Sequence, residues 1–170
     1  MKHTLVARVQ DQPGVLNRVA SLFRRRAFNI ESLTVGGSEA PDFSRMTLVV
    51  DTARTPAHLV AANLRKLVPV VEVTDVTHVP TVERDLALIR VRSAPADRAE
   101  IASLVDIFRG RIVDVATDSV IVEVTGDLGK VDGLVDLLKP RGILEMVRTG
   151  KVAMVRGTAT NGEAALAAAS

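Results

Sequence analysis

The chain has 170 residues, is 47% hydrophobic and carries a formal charge of only +2. That length fits one medium domain or two small ones, and the apolar fraction is enough for a packed core, which excludes wholesale disorder. No apolar run is long enough to span a bilayer, so no membrane role is expected, and the absence of cysteine excludes disulfides, thiolate metal sites and cysteine nucleophiles and fits a cytoplasmic protein.

The N-terminus opens into a strand-like segment, Thr4 to Val9, with Leu5, Ala7 and Val9 on one side; it has no basic head followed by an apolar stretch, so no signal peptide is expected. Asp11-Gln12-Pro13-Gly14 breaks this strand. A helix is expected from about Pro13 to Arg25, because Val15, Leu16, Val19, Leu22 and Phe23 share one helical face. Asp11 or Gln12 stands where the cap belongs, and Pro13 suits the first turn. Arg24-Arg25-Arg26 reads as a solvated helix end, where cations are favoured. Phe28 to Val35 is a second strand, Gly36-Gly37 through Asp42 a turn, and Phe43 to Val50 a third strand, paired with the second as a hairpin. Thr55-Pro56 reads as a cap followed by a first-position proline. The helix it opens runs to about Leu67, with Leu59 or Val60, Leu64 and Leu67 inward. Pro69 ends it, and Val70 to Val76 is a fourth strand. This βαββαβ order predicts a four-stranded antiparallel sheet with two helices on one face.

Val79-Pro80-Thr81-Val82 reads as the joint to a second unit. Leu86 to Val91 is a strand, and Ala94-Pro95 turns the chain. A helix from about Ala96 to Phe108 buries Ile101, Leu104, Val105 and Phe108, and Gly110 is placed to end it in the left-handed conformation. Arg111 to Ala116 and Val120 to Thr125 form a hairpin. Thr125 or Asp127 caps a helix bearing Val131, Leu134, Val135 and Leu138, closed by Pro140 and Gly142. Ile143 to Arg148 and Lys151 to Arg156 are expected as a last hairpin. The fold class is therefore α+β, two tandem ferredoxin-like units of order βαββαβ and βαββα-ββ. Their expected extents are 1–78 and 79–157, with a disordered tail at 158–170.

Catalytic constellations are absent from the pattern. His3, His58 and His78 are scattered, with no metal motif, nucleophile elbow or phosphate-binding glycine loop around them. Four Phe and no Tyr or Trp leave little for a base-stacking sheet, so no nucleic-acid partner is expected. The informative segment is Asp11 to Leu16. It joins a strand to a helix N-terminus, where unpaired N–H groups and the positive end of the helix dipole favour a carboxylate. Gly14 would let a ligand approach the backbone. Asn29, early in the second strand, carries an amide that both donates and accepts; because the first helix joins the ends of strands one and two, Asn29 is expected near the same region. Spacing alone also fits a plain reading, in which Asp11 and Pro13 start a helix, Gly14 eases the turn and Asn29 caps one.

Asp11-x-Pro13-Gly14-Val15-Leu16-x-Arg18-Val19, followed by Phe28-Asn29-Ile30-Glu31-Ser32-Leu33-Thr34-Val35 and Ser44-Arg45-Met46-Thr47, resembles an ACT domain, and more narrowly the small subunits of acetolactate synthase. Leu64-x-Lys66-Leu67-Val68-x-Val70 extends the match. So do Glu83-Arg84-Asp85-Leu86, Ile107-Phe108-Arg109-Gly110-Arg111-Ile112-Val113-Asp114-Val115, and Thr125-Gly126 leading to Lys130-Val131-Asp132, so the resemblance spans residues 3 to 157. It implies a regulatory subunit without catalytic residues, metal or cofactor of its own. It further implies a homodimer formed through ACT domains, with a branched-chain amino acid, usually valine, bound between them. By this resemblance Asp11, Gly14, Val15 and Leu16 form the binding loop, and Asn29 and Ile30 its partner on the strand. Loop N–H groups would take the ligand carboxylate, and Val15, Leu16 or Ile30 the isopropyl group. Many relatives carry Asn where this chain has Asp11. The implied partner is a large catalytic subunit that uses thiamine diphosphate, magnesium and FAD, activated by this chain and inhibited through it. The alternatives are a free-standing ACT sensor acting on another enzyme or on transcription, and a nucleic-acid-binding ferredoxin-like protein.

Overall fold

The computed structural model describes residues 1–53 and 55–157; the tail expected to be disordered lies outside the described residues. The chain forms two compact units. The first is Met1–Val82 together with the stretch from Lys151 to the last described residue, and the second is Glu83–Gly150.

In the first unit, β1 (Lys2–Gln10) lies between β3 (Phe43–Asp51) and β4 (Val70–Asp75), and β2 (Asn29–Gly37) flanks β3. All neighbours are antiparallel, in the order β2-β3-β1-β4. The alternation of β1 sets the layers: Leu5, Ala7 and Val9 are buried with Val19, Leu22 and Phe23 of α1 (Val15–Arg26) and Val60, Ala61 and Leu64 of α2 (Ala57–Leu64). The even residues face the other side of the sheet. There Val6 and Val76 meet Ala153 of β9 (Val152–Val155), with Val155 packed beside them. The split βαβ arrangement expected from the sequence is the arrangement found.

Several local expectations are corrected. Helix α1 begins at Val15 rather than Pro13. Its N-cap is Gly14, at φ 85°, and neither Asp11 nor Gln12 caps it. Gly36 and Gly37, expected in the turn, extend β2 to pair with Arg45 and Ser44. Helix α2 stops at Leu64 instead of Leu67, and Pro56 is its N-cap rather than its first residue. The chain from Asn63 to Val70 closes in tight turns, Lys66 N–H to the Asn63 carbonyl and Leu67 N–H to that of Leu64, which short-range bonding favours over another full turn ahead of Pro69.

Strand β5 (Thr81–Arg92) begins well before the expected Leu86: Thr81 and Val82, read as part of the joint and belonging to the first unit, are already strand, and from Glu83 on β5 belongs to the second unit. The sheet order is β6-β7-β5-β8, with β6 (Arg111–Val115), β7 (Ser119–Gly126) and β8 (Ile143–Arg148). Ala87, Ile89 and Val91 alternate into a core completed by Ile101 and Val105 of α3 (Arg98–Ile107) and by Val131, Leu134, Val135 and Leu138 of α4 (Leu128–Leu138). Of the two residues considered as the α4 cap, Asp127 takes the role, its carboxylate accepting from Lys130 N–H at 2.8 Å. The expected final hairpin does not form: β8 pairs with β5, and β9 pairs with β5 as well instead of with β8. Arg156 N–H donates to the Pro80 carbonyl at 2.8 Å.

Gly110 is also corrected. The left-handed residue ending α3 is Arg109, at φ 49°. Gly110 is needed for space, since a Cβ there would stand 2.9 Å from the Glu123 carbonyl oxygen and 3.1 Å from Val105 Cγ1. A strand carbonyl cannot give way as a flexible side chain can, so Gly110→Ala should destabilise the chain by ~1–3 kcal/mol in a urea titration. Arg109→Gly, which removes a Cβ from a left-handed position, should be neutral or slightly stabilising in the same assay.

One ionic group ties β1 to β4. His3 Nδ1 lies 2.8 Å from Asp75 Oδ2, and Thr77 donates to Asp75 Oδ1 from its N–H at 3.0 Å and also from its hydroxyl. Burial pushes the Asp75 carboxyl upward, but the bonds from Thr77 and His3 outweigh it and leave its pKa below the ordinary value. A depressed carboxylate stabilises the fold above its unfolded pKa of about 3.9, and that contribution fades as pH falls through the folded value. Asp75→Asn should therefore melt below wild type at pH 7, and the gap should narrow as the pH falls below the ordinary carboxylate range. A gap unchanged between pH 7 and pH 2.5 would contradict this account.

Candidate functional site

The loop expected from the sequence to receive a ligand carboxylate, Asp11 to Leu16, joins β1 to α1. Gly14 holds a left-handed conformation and then α1 begins, with the Gly14 carbonyl accepting from Arg18 N–H at 3.0 Å. Among the described residues no side chain accepts from the first turn of α1, in contrast to the capped α4. Gly14 faces open space, with nothing within 4 Å of where a Cβ would stand. Val15 N–H turns back to the Gln12 carbonyl at 3.4 Å; the lack of a side-chain cap, the helix dipole and this open approach together suit an anion.

The other expected residues divide. Asp11 is exposed and its N–H donates to the Asp42 carbonyl at 2.8 Å, which anchors the loop to the turn before β3. Gln12 reaches back to the Gln10 side chain at 2.7 Å. Leu16 is 48% exposed beside the loop, whereas Val15 is 6% exposed and belongs to the core. Ile30 is partly buried against that core.

Asn29 does not join the loop within one chain. Lys2 and Asn29 both pair with Asp51, so both lie at the start of their strands, while Gln10 pairs with Phe43 and Gly37 with Ser44 at the other end. Strand β1 has nine residues, so at ~3.3 Å each the two ends stand roughly 25 Å apart. The expectation that α1 brings Asn29 to the loop fails because the twelve-residue α1 runs the length of the sheet and delivers the chain to its far end. The end of β2 nearest the loop carries Gly36 and Gly37.

Elsewhere, His3 serves Asp75 and stands edge-on to His78, ring centroids 5.8 Å apart. Among the described residues no group of three His, Cys, Asp or Glu side chains is arranged to hold a metal ion, and no helix is long and apolar enough to cross a membrane. On the sheet face away from the helices lies a cleft of about 340 Å³, lined by Arg8, Arg45, Glu39, Glu72 and the apolar Val6 and Met154. Sequence reasoning missed it. The signal was the alternation of β1, which sends Arg8 to the face opposite Ala7 and Val9.

A split βαβ unit with an uncapped, glycine-led helix start after its first strand is an ACT-type domain, and this chain carries it in tandem with a second ferredoxin-like unit. Residues 5–72 match the family model of the acetolactate (acetohydroxyacid) synthase small subunit-like ACT domain, and residues 84–157 that of the small subunit of acetolactate synthase. The chain is 55% identical over 157 residues to a probable acetolactate synthase small subunit of Archaeoglobus fulgidus, covering 92% of this chain and 98% of that one. It is 45% identical over 155 residues to the small subunit of Mycobacterium leprae, covering 91% and 92%. The crystal structure of the acetolactate synthase small subunit from Thermotoga maritima superposes with a TM-score of 0.86 at 42% identity, over 94% of this chain and 99% of that one. The chain belongs to the family of acetolactate synthase small, regulatory subunits.

The left-handed Gly14 has a consequence for stability alone. Gly14→Ala should cost ~1 kcal/mol in chemical denaturation, because a Cβ is unfavourable at that φ while nothing around it clashes, and Gly14→Asn should cost less, since Asn tolerates this conformation.

Proposed function

We propose that this chain is the effector-sensing subunit of acetolactate synthase: it activates a large, thiamine-diphosphate-dependent catalytic subunit that also uses magnesium and FAD, and it confers feedback inhibition by valine. The observation that supports a binding site shared between two copies is the separation of Asn29 from the Gly14 loop in one chain. Strand β2 is an edge of its sheet, and an unpaired edge invites a further strand. If two β2 edges pair antiparallel about a two-fold axis, the start of one β2 falls beside the end of the other. The second copy's Asn29 and Ile30 then come to the end of the sheet where Asp11, Gly14 and Leu16 stand. The loop N–H groups receive the ligand carboxylate, Asn29 holds the polar groups, and Leu16 with Ile30 receives the isopropyl group. Val15 acts from beneath, by seating the helix.

Chemistry is assigned to the large subunit. The small subunit needs only a differential affinity for two states of its partner, and ~1–3 kcal/mol of coupling gives strong regulation.

Mixed dimers test this reading. In the reconstituted enzyme, Gly14→Asp and Asn29→Ala homodimers should each weaken valine binding and inhibition by at least ~tenfold, since each loses charge-assisted or polar ligand bonds at both seams. A purified dimer of one Gly14→Asp chain and one Asn29→Ala chain has one seam with wild-type loop and wild-type strand. It should bind valine at wild-type affinity with half the stoichiometry by calorimetry. Lack of any restored site would overturn the shared seam, and unchanged inhibition in both homodimers would overturn the site. The isolated chain should form a dimer or larger assembly by light scattering and make no acetolactate from pyruvate with thiamine diphosphate and magnesium.

A further inference from the structure

The cleft on the open sheet face contains an arrangement the fold alone does not explain. Arg8 of β1 is the direct cross-strand partner of Arg45 of β3 on one side and of Glu72 of β4 on the other. Three charged residues therefore stand abreast, two of them arginines, and like charges directly opposite each other on antiparallel strands destabilise a sheet. Arg45 donates to the Ala153 carbonyl at 2.7 Å. Arg8 lies over the Phe43 ring at 5.1 Å and has no ion-pair partner among the described residues. Burial lowers the pKa of Arg45, while the charges of Glu39 and Glu72 raise it.

The cleft's walls are ordered. Ser38 fixes the loop that carries Glu39, its hydroxyl donating to the Phe43 carbonyl at 2.8 Å and accepting from Ala40 N–H at 3.3 Å. The opposite wall is β9, held by Arg45 and by Lys151 N–H donating to Ser32 Oγ at 3.2 Å. One row along from the arginines the floor turns apolar. Val6 pairs with Thr47 and Thr74, and Met154 and Val155 line the same cleft. At about 340 Å³ the space lies at the small-molecule end of ligand pockets.

We propose that this cleft is a second ligand site, within a single copy of the first unit, for a small zwitterion with a short apolar side chain, that is, an aliphatic α-amino acid. The carboxylate sits over Arg8 and Arg45 and separates their charges. The ammonium group points to Glu72 and Glu39, and the side chain lies on Val6 and Met154. The even balance of two cations and two carboxylates selects a zwitterion over a simple anion, which would leave both carboxylates facing it. Ser38 and Glu39 of the lining follow directly on the last residue of β2, Gly37, but the ligand groups named here all come from one copy, so the site does not depend on the seam proposed above.

Methionine-methyl NMR on the full-length chain reads it directly. The chain has four methionines: Met154 lines the cleft, Met46 is buried in the core on the helix side, and Met1 and Met146 lie outside the cleft lining. Valine should shift the Met154 resonance (assigned with Met154→Leu) saturably in the millimolar range, and should do so equally in the Gly14→Asp chain, where the seam is disabled. Isobutylamine and isovalerate, which each lack one of the two charges, should shift it at least tenfold more weakly. Arg8→Gln should weaken the effect about tenfold or more while leaving calorimetric binding at the seam intact, and Arg8→Lys should recover part of it. A Met154 resonance that stays still at tens of millimolar valine, or that responds alike in wild type and Arg8→Gln, would overturn the proposal. A response lost in Gly14→Asp but kept in Arg8→Gln would assign the effect to the seam instead.

Discussion

Much of the first unit follows from the alternation along one central strand. β1 is bonded on both edges, to β3 and to β4, so its side chains can go only up or down. Leu5, Ala7 and Val9 go under the helices and are essentially inaccessible. Thr4, Val6 and Arg8 go to the open face. A one-residue slip would exchange the two sets, placing Arg8 in the core and Val9 in water, at a cost no nearby compensation could meet. With that register fixed, Gln10 must end beside Phe43 and Pro69, and the chain has four residues in which to leave the sheet and begin α1. Gly14 makes this possible by taking a conformation that other residues adopt reluctantly. The uncapped helix start proposed to receive a carboxylate is thus a by-product of how β1 must end.

In the second unit the same architecture is built with a different emphasis. Here the central strand β5 is longer, the helix start is capped by Asp127, and the polar anchor is ionic. Asp85 is 5% exposed and accepts from Arg148, whose other arm reaches Asp132 at 2.7 Å. Burial lowers the Arg148 pKa, but the two carboxylates more than compensate and raise it. Removing Arg148 would leave the Asp85 charge buried without a counterion, the costly half of such a pair. Helix α3 follows directly on a one-turn 3-10 segment, Pro95–Asp97, and has no side-chain cap of its own, so among the helices of this unit the capped start is that of α4.

The open face of the first sheet is where the chain departs from a minimal ACT-type unit. The stretch from Lys151 returns to it: Ala153 and Val155 pack on Val6 and Val76, and Lys151 reaches Thr4 and Ser32. A four-stranded sheet with helices on one side leaves its other face wet or covered by something else. Here β9 covers part of it, and the remainder forms the charged cleft.

The sequence by itself determined the order of elements, the inward face of each helix and the family, because these depend on short-range periodicity and on residue types: Val15, Val19 and Leu22 on one face of α1, Leu5, Ala7 and Val9 on one side of β1, and a run of matching motifs across both units. It marked Gly14 as special without revealing how, since a left-handed cap and a first-turn glycine look alike in sequence. Tertiary structure alone decided the rest. Asn29 lies at the far end of the sheet from Gly14 because strand register, set by pairs such as Asn29 with Asp51 and Gly37 with Ser44, is a long-range property. Gly110 is required by the Glu123 carbonyl thirteen residues on, a contact no local pattern encodes. β9 pairs with β5 instead of β8 and packs Ala153 on Val6 and Val76, partners far away in the chain that no local pattern encodes, and the two arginines of the cleft, thirty-seven residues apart in the chain, become neighbours only once β1 and β3 are aligned.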